Sequence, residues 1–158
     1  MSITRRQSLA LFAATGLAVG AGGWALWPSP SKAGTAPIYA ENGIAIDGTD
    51  TVAYFKEGKP VPGLPSISHI WKGAKWLFST EENKAAFVSN PEAFAPQYGG
   101  YCAYAVSEGS TASTIPEAWK IVDGKLYLNY SAGIQRRWEK NASKRIVDAD
   151  RLWPKVLD

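Results

Sequence analysis

The sequence predicts a small α+β domain in which short antiparallel hairpins alternate with short helices. Three observations predict it. Residues 34–158 form a stretch of 125 residues, which suits one compact domain. Short runs of β-branched and aromatic residues are separated by turns that contain glycine, and helix-capping residues stand between these runs. No segment of the chain repeats, so a repeat architecture is excluded.

The first part of the domain is predicted to contain a short strand and then a helix. Residues 43–48 alternate apolar and small side chains between two turn signals, which predicts a short strand. Asp50 is predicted to be the N-cap of a helix whose core residues are Val52, Ala53 and Phe55. Residues 59–65 contain three prolines, and we expect a loop there.

The middle of the chain predicts a hairpin followed by a helix. Residues 68–71 and 75–78 are rich in β-forming side chains and flank a short turn. Residues 79–82, Ser-Thr-Glu-Glu, form a predicted capping box with Glu82 at the third helical position, and the helix covers residues 80–89. Pro91 then starts another helical turn.

The last third predicts a tight glycine turn, a second hairpin and two helices. Gly99 and Gly100 permit a tight backbone before an aromatic run. Residues 119–128 form the clearest hairpin, because the Asp-Gly pair at its centre suits a type I′ turn. Ser131 can cap a helix that ends near residue 140, and residues 142–152 form a last helix, on which Asp148 and Asp150 look solvated.

Residues 1–33 resemble a twin-arginine signal segment. Arg5 and Arg6 precede a stretch without charged residues from residue 9 to residue 26, and Ser31-Lys32-Ala33 has the small-x-small form that a signal peptidase accepts. We therefore expect export to the periplasm or another extracytoplasmic space, with cleavage after Ala33. The alternative is an uncleaved anchor, since 18 residues lie near the lower limit of about 17 for a membrane span.

Charge and cysteine content exclude several classes of protein. The formal net charge is +3, and the segment 1–33 carries three of the positive charges, so the remaining domain is neutral. A neutral domain without a basic run gives no case for nucleic-acid binding. Cys102 is the single cysteine, so no intrachain disulfide can form. After cleavage we expect no stable membrane insertion.

Residues 72–87, Lys-Gly-Ala-Lys-Trp-Leu-Phe-Ser-Thr-Glu-Glu-Asn-Lys-Ala-Ala-Phe, with Asn-Pro-Glu at residues 90–92, resemble the YHS domain. The wider pattern, from Ala-Ile-Asp-Gly at residues 45–48 to Gly-Lys-Leu-Tyr-Leu-Asn-Tyr at residues 124–130, is similar to a subgroup of exported YHS-domain proteins. The resemblance implies a YHS-like fold over residues 34–158. Elsewhere the family accompanies copper transporters and heavy-metal-responsive proteins, with two cysteines as the implied ligands.

Here Ser79 and Asn83 stand where the resemblance places the two cysteines, so the soft thiolate ligands are missing. His69 and Cys102 are the remaining candidates for a copper or zinc ion, and each is the only residue of its type. Asp50 is the predicted third ligand. The first functional hypothesis is therefore an exported YHS-domain protein that binds or senses a transition metal through these three residues.

Three alternatives remain open. His69 and Cys102 can be buried structural residues, as lone cysteines and histidines often are. The protein can be a binding module without catalysis, which takes a small non-metal ligand or a protein on a surface formed by Tyr98, Tyr101, Tyr104 and Trp119. A thiol enzyme, with the cysteine as nucleophile and the histidine as base, is the third.

Overall fold

The computed structural model describes residues 34–158, which form one compact unit of mixed α+β structure. The predicted fold class is therefore confirmed. The predicted signal segment lies outside the described residues. Within residues 34–158, no helix has the length and apolar character needed to cross a membrane.

The larger sheet has four strands in the order β1-β2-β4-β3. Their bounds are Ala40–Glu41 for β1, Ile44–Ala45 for β2, Leu64–Trp71 for β3 and Ala74–Phe78 for β4. Strands β3 and β4 form the predicted antiparallel hairpin, and β1 pairs antiparallel with β2. Strand β2 joins β4 in parallel, an arrangement that the hairpin prediction did not include.

Two details of this sheet differ from the predictions. Only two residues of the predicted strand 43–48 are extended, because Ile46–Gly48 turns into a 3-10 helix in which Ile46 and Asp47 have positive φ. Strand β3 begins at Leu64, inside the predicted loop. A proline is tolerated at residue 65 because β3 is an edge strand, and the pairing is irregular between Leu64 and Ser68.

Strands β5 (Trp119–Val122) and β6 (Lys125–Leu128) form the second predicted hairpin. Asp123 and Gly124 both have positive φ, at 50° and 72°. A type I′ turn requires positive φ at both central residues, so the predicted turn is confirmed.

Six α-helices lie in the described part of the chain: α1 (Thr51–Lys56), α2 (Glu81–Ser89), α3 (Pro91–Phe94), α4 (Ala103–Ser107), α5 (Ala132–Glu139) and α6 (Ala142–Leu152). Asp50 caps α1 and Ser131 caps α5, as predicted. Helix α2 starts one residue later than the predicted capping box requires. Its N-cap is Thr80, whose hydroxyl accepts the Asn83 N–H at 3.1 Å, so Asn83 and not Glu82 holds the third position.

The core has two neighbouring clusters of buried side chains. The first lies between the larger sheet and α1 and α2, and in it the Phe87 ring centroid lies 4.9 Å from that of Trp76 and 5.1 Å from that of Phe78. The second lies beside α6 and includes Tyr98, Tyr127 and Trp138. Phe55, predicted as core, is only half-buried, and Tyr54 is buried instead. Tyr54 reaches the core because the short helix α1 is buried over its whole first turn.

Candidate functional site

Asp50 is fully buried and its carboxylate is saturated with hydrogen bonds. One oxygen accepts the Val52 N–H at 3.0 Å, which is the cap of α1. The other oxygen accepts the Ser79 N–H at 2.8 Å, the Ser79 hydroxyl at 2.6 Å and the Asn83 side-chain amide at 2.7 Å. A buried carboxylate needs such donors because nothing else replaces its hydration.

Lys56 completes this polar cluster. Its ammonium donates to the Asn83 side-chain oxygen at 3.0 Å, so the amide connects the buried carboxylate with a positive charge. Ser79 and Asn83 also touch each other, at 3.4 Å. The two positions at which the resemblance places cysteines are therefore adjacent in space and are linked through one carboxylate.

Cys102 is buried at the start of α4. Its sulfur accepts the Tyr130 N–H at 3.3 Å and contacts the Asn129 side-chain oxygen at 3.7 Å, to which it can donate. The same oxygen accepts the Tyr104 N–H at 3.2 Å. The hydrogen-bond partners of the thiol include no histidine of the described residues, so this geometry supplies no base for a thiol nucleophile.

The third predicted ligand, His69, is half-buried on strand β3 opposite Trp76. Over residues 34–158, no three histidine, cysteine, aspartate or glutamate side chains lie close enough together to hold a metal ion. His69, Cys102 and Asp50 therefore do not form such a group. Asp50 and Cys102 share no side-chain hydrogen-bond partner, since Asp50 binds Val52, Ser79 and Asn83 whereas Cys102 binds Asn129 and Tyr130.

The four aromatic residues that were predicted to form one binding surface have different surroundings in the structure. Tyr101 is buried and donates to the Ala36 carbonyl oxygen at 2.9 Å. The Arg145 guanidinium carbon lies over the ring of Tyr104, 3.9 Å from the ring centroid. Trp119 packs against Tyr54 in a tilted arrangement, with ring centroids 5.1 Å apart. Of the four predicted aromatic residues, only Tyr98 lines a cavity described below.

This cavity, which we call the cleft, has a volume of about 500 Å³. It lies between the β3–β4 turn, α3, the Gln97–Gly100 turn and the C-terminal residues after α6. Trp71, Tyr98 and Trp153 contribute aromatic surface, and the lining residues with apolar side chains include Pro37, Ile38, Pro154 and Leu157. Ligand-binding clefts in proteins have volumes of roughly 300–1,000 Å³ and walls of this mixed aromatic and apolar kind.

Gly99 shapes the floor of the cleft. Its φ is +61°, and a Cβ atom there would overlap the Pro37 carbonyl oxygen. The Gly99 carbonyl oxygen accepts the Tyr39 N–H at 2.9 Å. This close approach brings the segment around Pro37 against the glycine turn, and only a residue without a side chain permits it.

Four charged side chains line the cleft, and two of them form an ion pair whereas the other two do not. Lys72 and Glu92 neutralise each other through an ion pair of 2.7 Å, and the Lys72 ammonium lies 4.3 Å from the Trp71 ring centroid. The Tyr98 hydroxyl donates to the Asp150 carboxylate at 2.8 Å. Burial and the neighbouring Asp150 raise the pKa of Tyr98, so the hydroxyl stays protonated and remains a donor.

Asp150 and Lys125 form no ion pair with each other or with any other residue of the described chain. Asp150 is exposed, as predicted, and its carboxylate also accepts the hydrogen bond from Tyr98. Asp148, by contrast, pairs with Lys144 and Arg151 on the helix surface.

Comparisons with protein-family models, with curated proteins and with solved structures found no match to this chain. The resemblance to the YHS domain therefore stays a prediction from the sequence motifs. The cleft was missed by the sequence reasoning because its walls come from five separate segments. The one available signal was the Gly99-Gly100 pair, which marks a close backbone approach.

Proposed function

We propose that this protein is an exported, non-catalytic binding module of the YHS type that holds a small organic ligand in the cleft. The observation that carries the proposal is the cleft itself, with a volume of about 500 Å³ and walls that include Trp71, Tyr98 and Trp153. Aromatic side chains that line a concave site favour a ligand with a flat apolar body.

The chemistry of the neighbouring groups supports binding and not catalysis. Tyr98 is held protonated, and Lys72 is occupied by Glu92, so neither is a base or nucleophile in this arrangement. The single thiol, Cys102, is buried and hydrogen-bonded to Asn129 and Tyr130.

Metal binding through His69, Cys102 and Asp50 stays a prediction, and the contacts favour the organic ligand over it. The Asp50 carboxylate already accepts four donors from within the protein. A metal ion at this carboxylate would have to displace them.

The test is a titration of the purified, isotope-labelled full chain with indole, followed by the chemical shifts of backbone amides. We expect the largest shifts at Trp71, Gly99 and Trp153. Gln97, which is half-buried and lines the cleft, can be replaced by tryptophan to fill the space, and Gln97→Trp should abolish these shifts.

The matched control is Val147→Trp, which adds the same bulky side chain at a residue that is 59% exposed on α6 and does not line the cleft. This variant should bind indole as the wild type does. Shifts that occur elsewhere, or that survive in Gln97→Trp, would show that the cleft is not the binding site.

A further inference from the structure

Only two of the four charged side chains that line the cleft form an ion pair. Lys72 and Glu92 satisfy each other at 2.7 Å. Lys125 and Asp150 line the same cleft, yet neither has an ionic partner anywhere in residues 34–158, and they lie too far apart to pair with each other. The cleft therefore presents one unmatched positive charge and one unmatched negative charge.

The carboxylate of Asp150 is exposed, but a hydrogen bond holds it in a fixed orientation. The hydroxyl of Tyr98 donates to its carboxylate at 2.8 Å, and Tyr98 is itself buried, with 5% of its surface exposed. The same hydroxyl lies 3.4 Å from the Ile146 carbonyl oxygen, a second contact that orients it. A carboxylate with one oxygen held in this way keeps its remaining lone pairs for a cationic donor.

Aromatic and apolar side chains line the same cleft as these two charges. Trp153 packs against Tyr98, with ring centroids 6.0 Å apart, and both line the cleft with Trp71. Trp71 is in turn held by Trp76, at 5.5 Å. These contacts fix the aromatic walls, and such walls favour a ligand that has a flat apolar body.

From this arrangement we infer that the ligand is a small zwitterion with a flat apolar body, in the chemical class of the aromatic α-amino acids. Its ammonium group would bind Asp150, its carboxylate would bind Lys125, and its ring would lie against the aromatic walls. This inference rests on the proposed function, because it names the ligand class of the same cleft.

The experiment compares four probes by amide chemical-shift titration of the full chain: L-tryptophan, tryptamine, indole-3-propionate and indole. Tryptamine lacks the carboxylate, indole-3-propionate lacks the ammonium group, and indole lacks both. We expect L-tryptophan to bind best. Lys125→Gln should weaken L-tryptophan and indole-3-propionate by about threefold to tenfold and leave tryptamine unchanged.

Asp150→Asn should show the converse pattern, weakening L-tryptophan and tryptamine and leaving indole-3-propionate unchanged. Asparagine keeps an oxygen that can accept the Tyr98 hydroxyl, so the local structure is preserved. Lys140→Gln and Glu82→Gln are the matched controls, because they make the same charge changes at exposed residues outside the cleft. Neither control should change any affinity.

The possible outcomes separate the two proposals. If all four probes shift the cleft amides with equal affinity, or if the two cleft variants behave like their controls, the zwitterion inference is overturned and the cleft remains a binding site. If none of the probes shifts the cleft amides, the proposed function fails together with the inference.

Discussion

Replacement of Asp50 by alanine should be among the most destabilising single substitutions in this domain. The carboxylate is fully buried and accepts four hydrogen bonds, two of them from backbone N–H groups, at Val52 and Ser79. The hydroxyl of Ser79 and the amide of Asn83 can rotate toward other acceptors, but the two backbone donors cannot.

The magnitude follows from these contacts. Loss of the cap of α1 costs about 0.5–2 kcal/mol. A buried N–H left without a partner costs about 1–3 kcal/mol. The removal of a buried charge offsets part of this loss, so we expect Asp50→Ala to lower the free energy of unfolding by about 3 kcal/mol. Asp50→Asn keeps one acceptor oxygen and should cost about half as much.

The assay is urea unfolding at neutral pH, followed by tryptophan fluorescence, with Glu82→Gln as the control at an exposed acidic residue. The alanine variant should also melt roughly 10 °C lower, given about 3–5 °C per kcal/mol for a domain of this size. A loss below about 1 kcal/mol for Asp50→Ala would refute the reasoning, because the buried donors would then have found other partners.

Three further predictions concern the turn, the export signal and the metal hypothesis. Gly124→Val should lower the free energy of unfolding in urea by about 1–2 kcal/mol, because Gly124 has a φ of +72°. No atom lies within 4 Å of where a Cβ would stand, so the loss comes from backbone strain alone. An unchanged stability would contradict this turn geometry. Replacement of Arg5 and Arg6 by lysine should retain the protein in the cytoplasm, as measured by cell fractionation, and normal export of this variant would indicate a general secretory route. The double variant His69→Ala, Cys102→Ala should contain the same amounts of copper and zinc as the wild type by elemental analysis. A lower metal content in this variant would instead support metal binding through these residues.

The elements with local signals were predictable from the sequence. Asp123 and Gly124 form the predicted type I′ turn, and Asp50 and Ser131 cap the helices that follow them. In each case the deciding hydrogen bond or backbone angle involves residues no more than three positions apart, so the chemistry is visible in a short window.

The start of helix α2 could be predicted from the sequence only to within one residue. Ser79 and Thr80 are both capping residues, which allows two registers for the start of α2, and the structure has Asn83 at the third helical position. The choice follows from tertiary contacts, because the side chain of Asn83 binds Asp50 and Lys56, whereas Glu82 remains exposed.

By itself the sequence determined the fold class, the two hairpins and most helix boundaries, because capping, turn chemistry and hydrophobic pattern act over a few residues. The tertiary structure alone decided the polar cluster of Asp50 and Ser79, 29 positions apart, and the contact of Tyr98 with Asp150, 52 positions apart. Such contacts depend on how whole elements pack against one another, and nothing in the local pattern around either partner specifies the other. The cleft belongs to this second group, since its aromatic and charged walls meet only when the chain is folded.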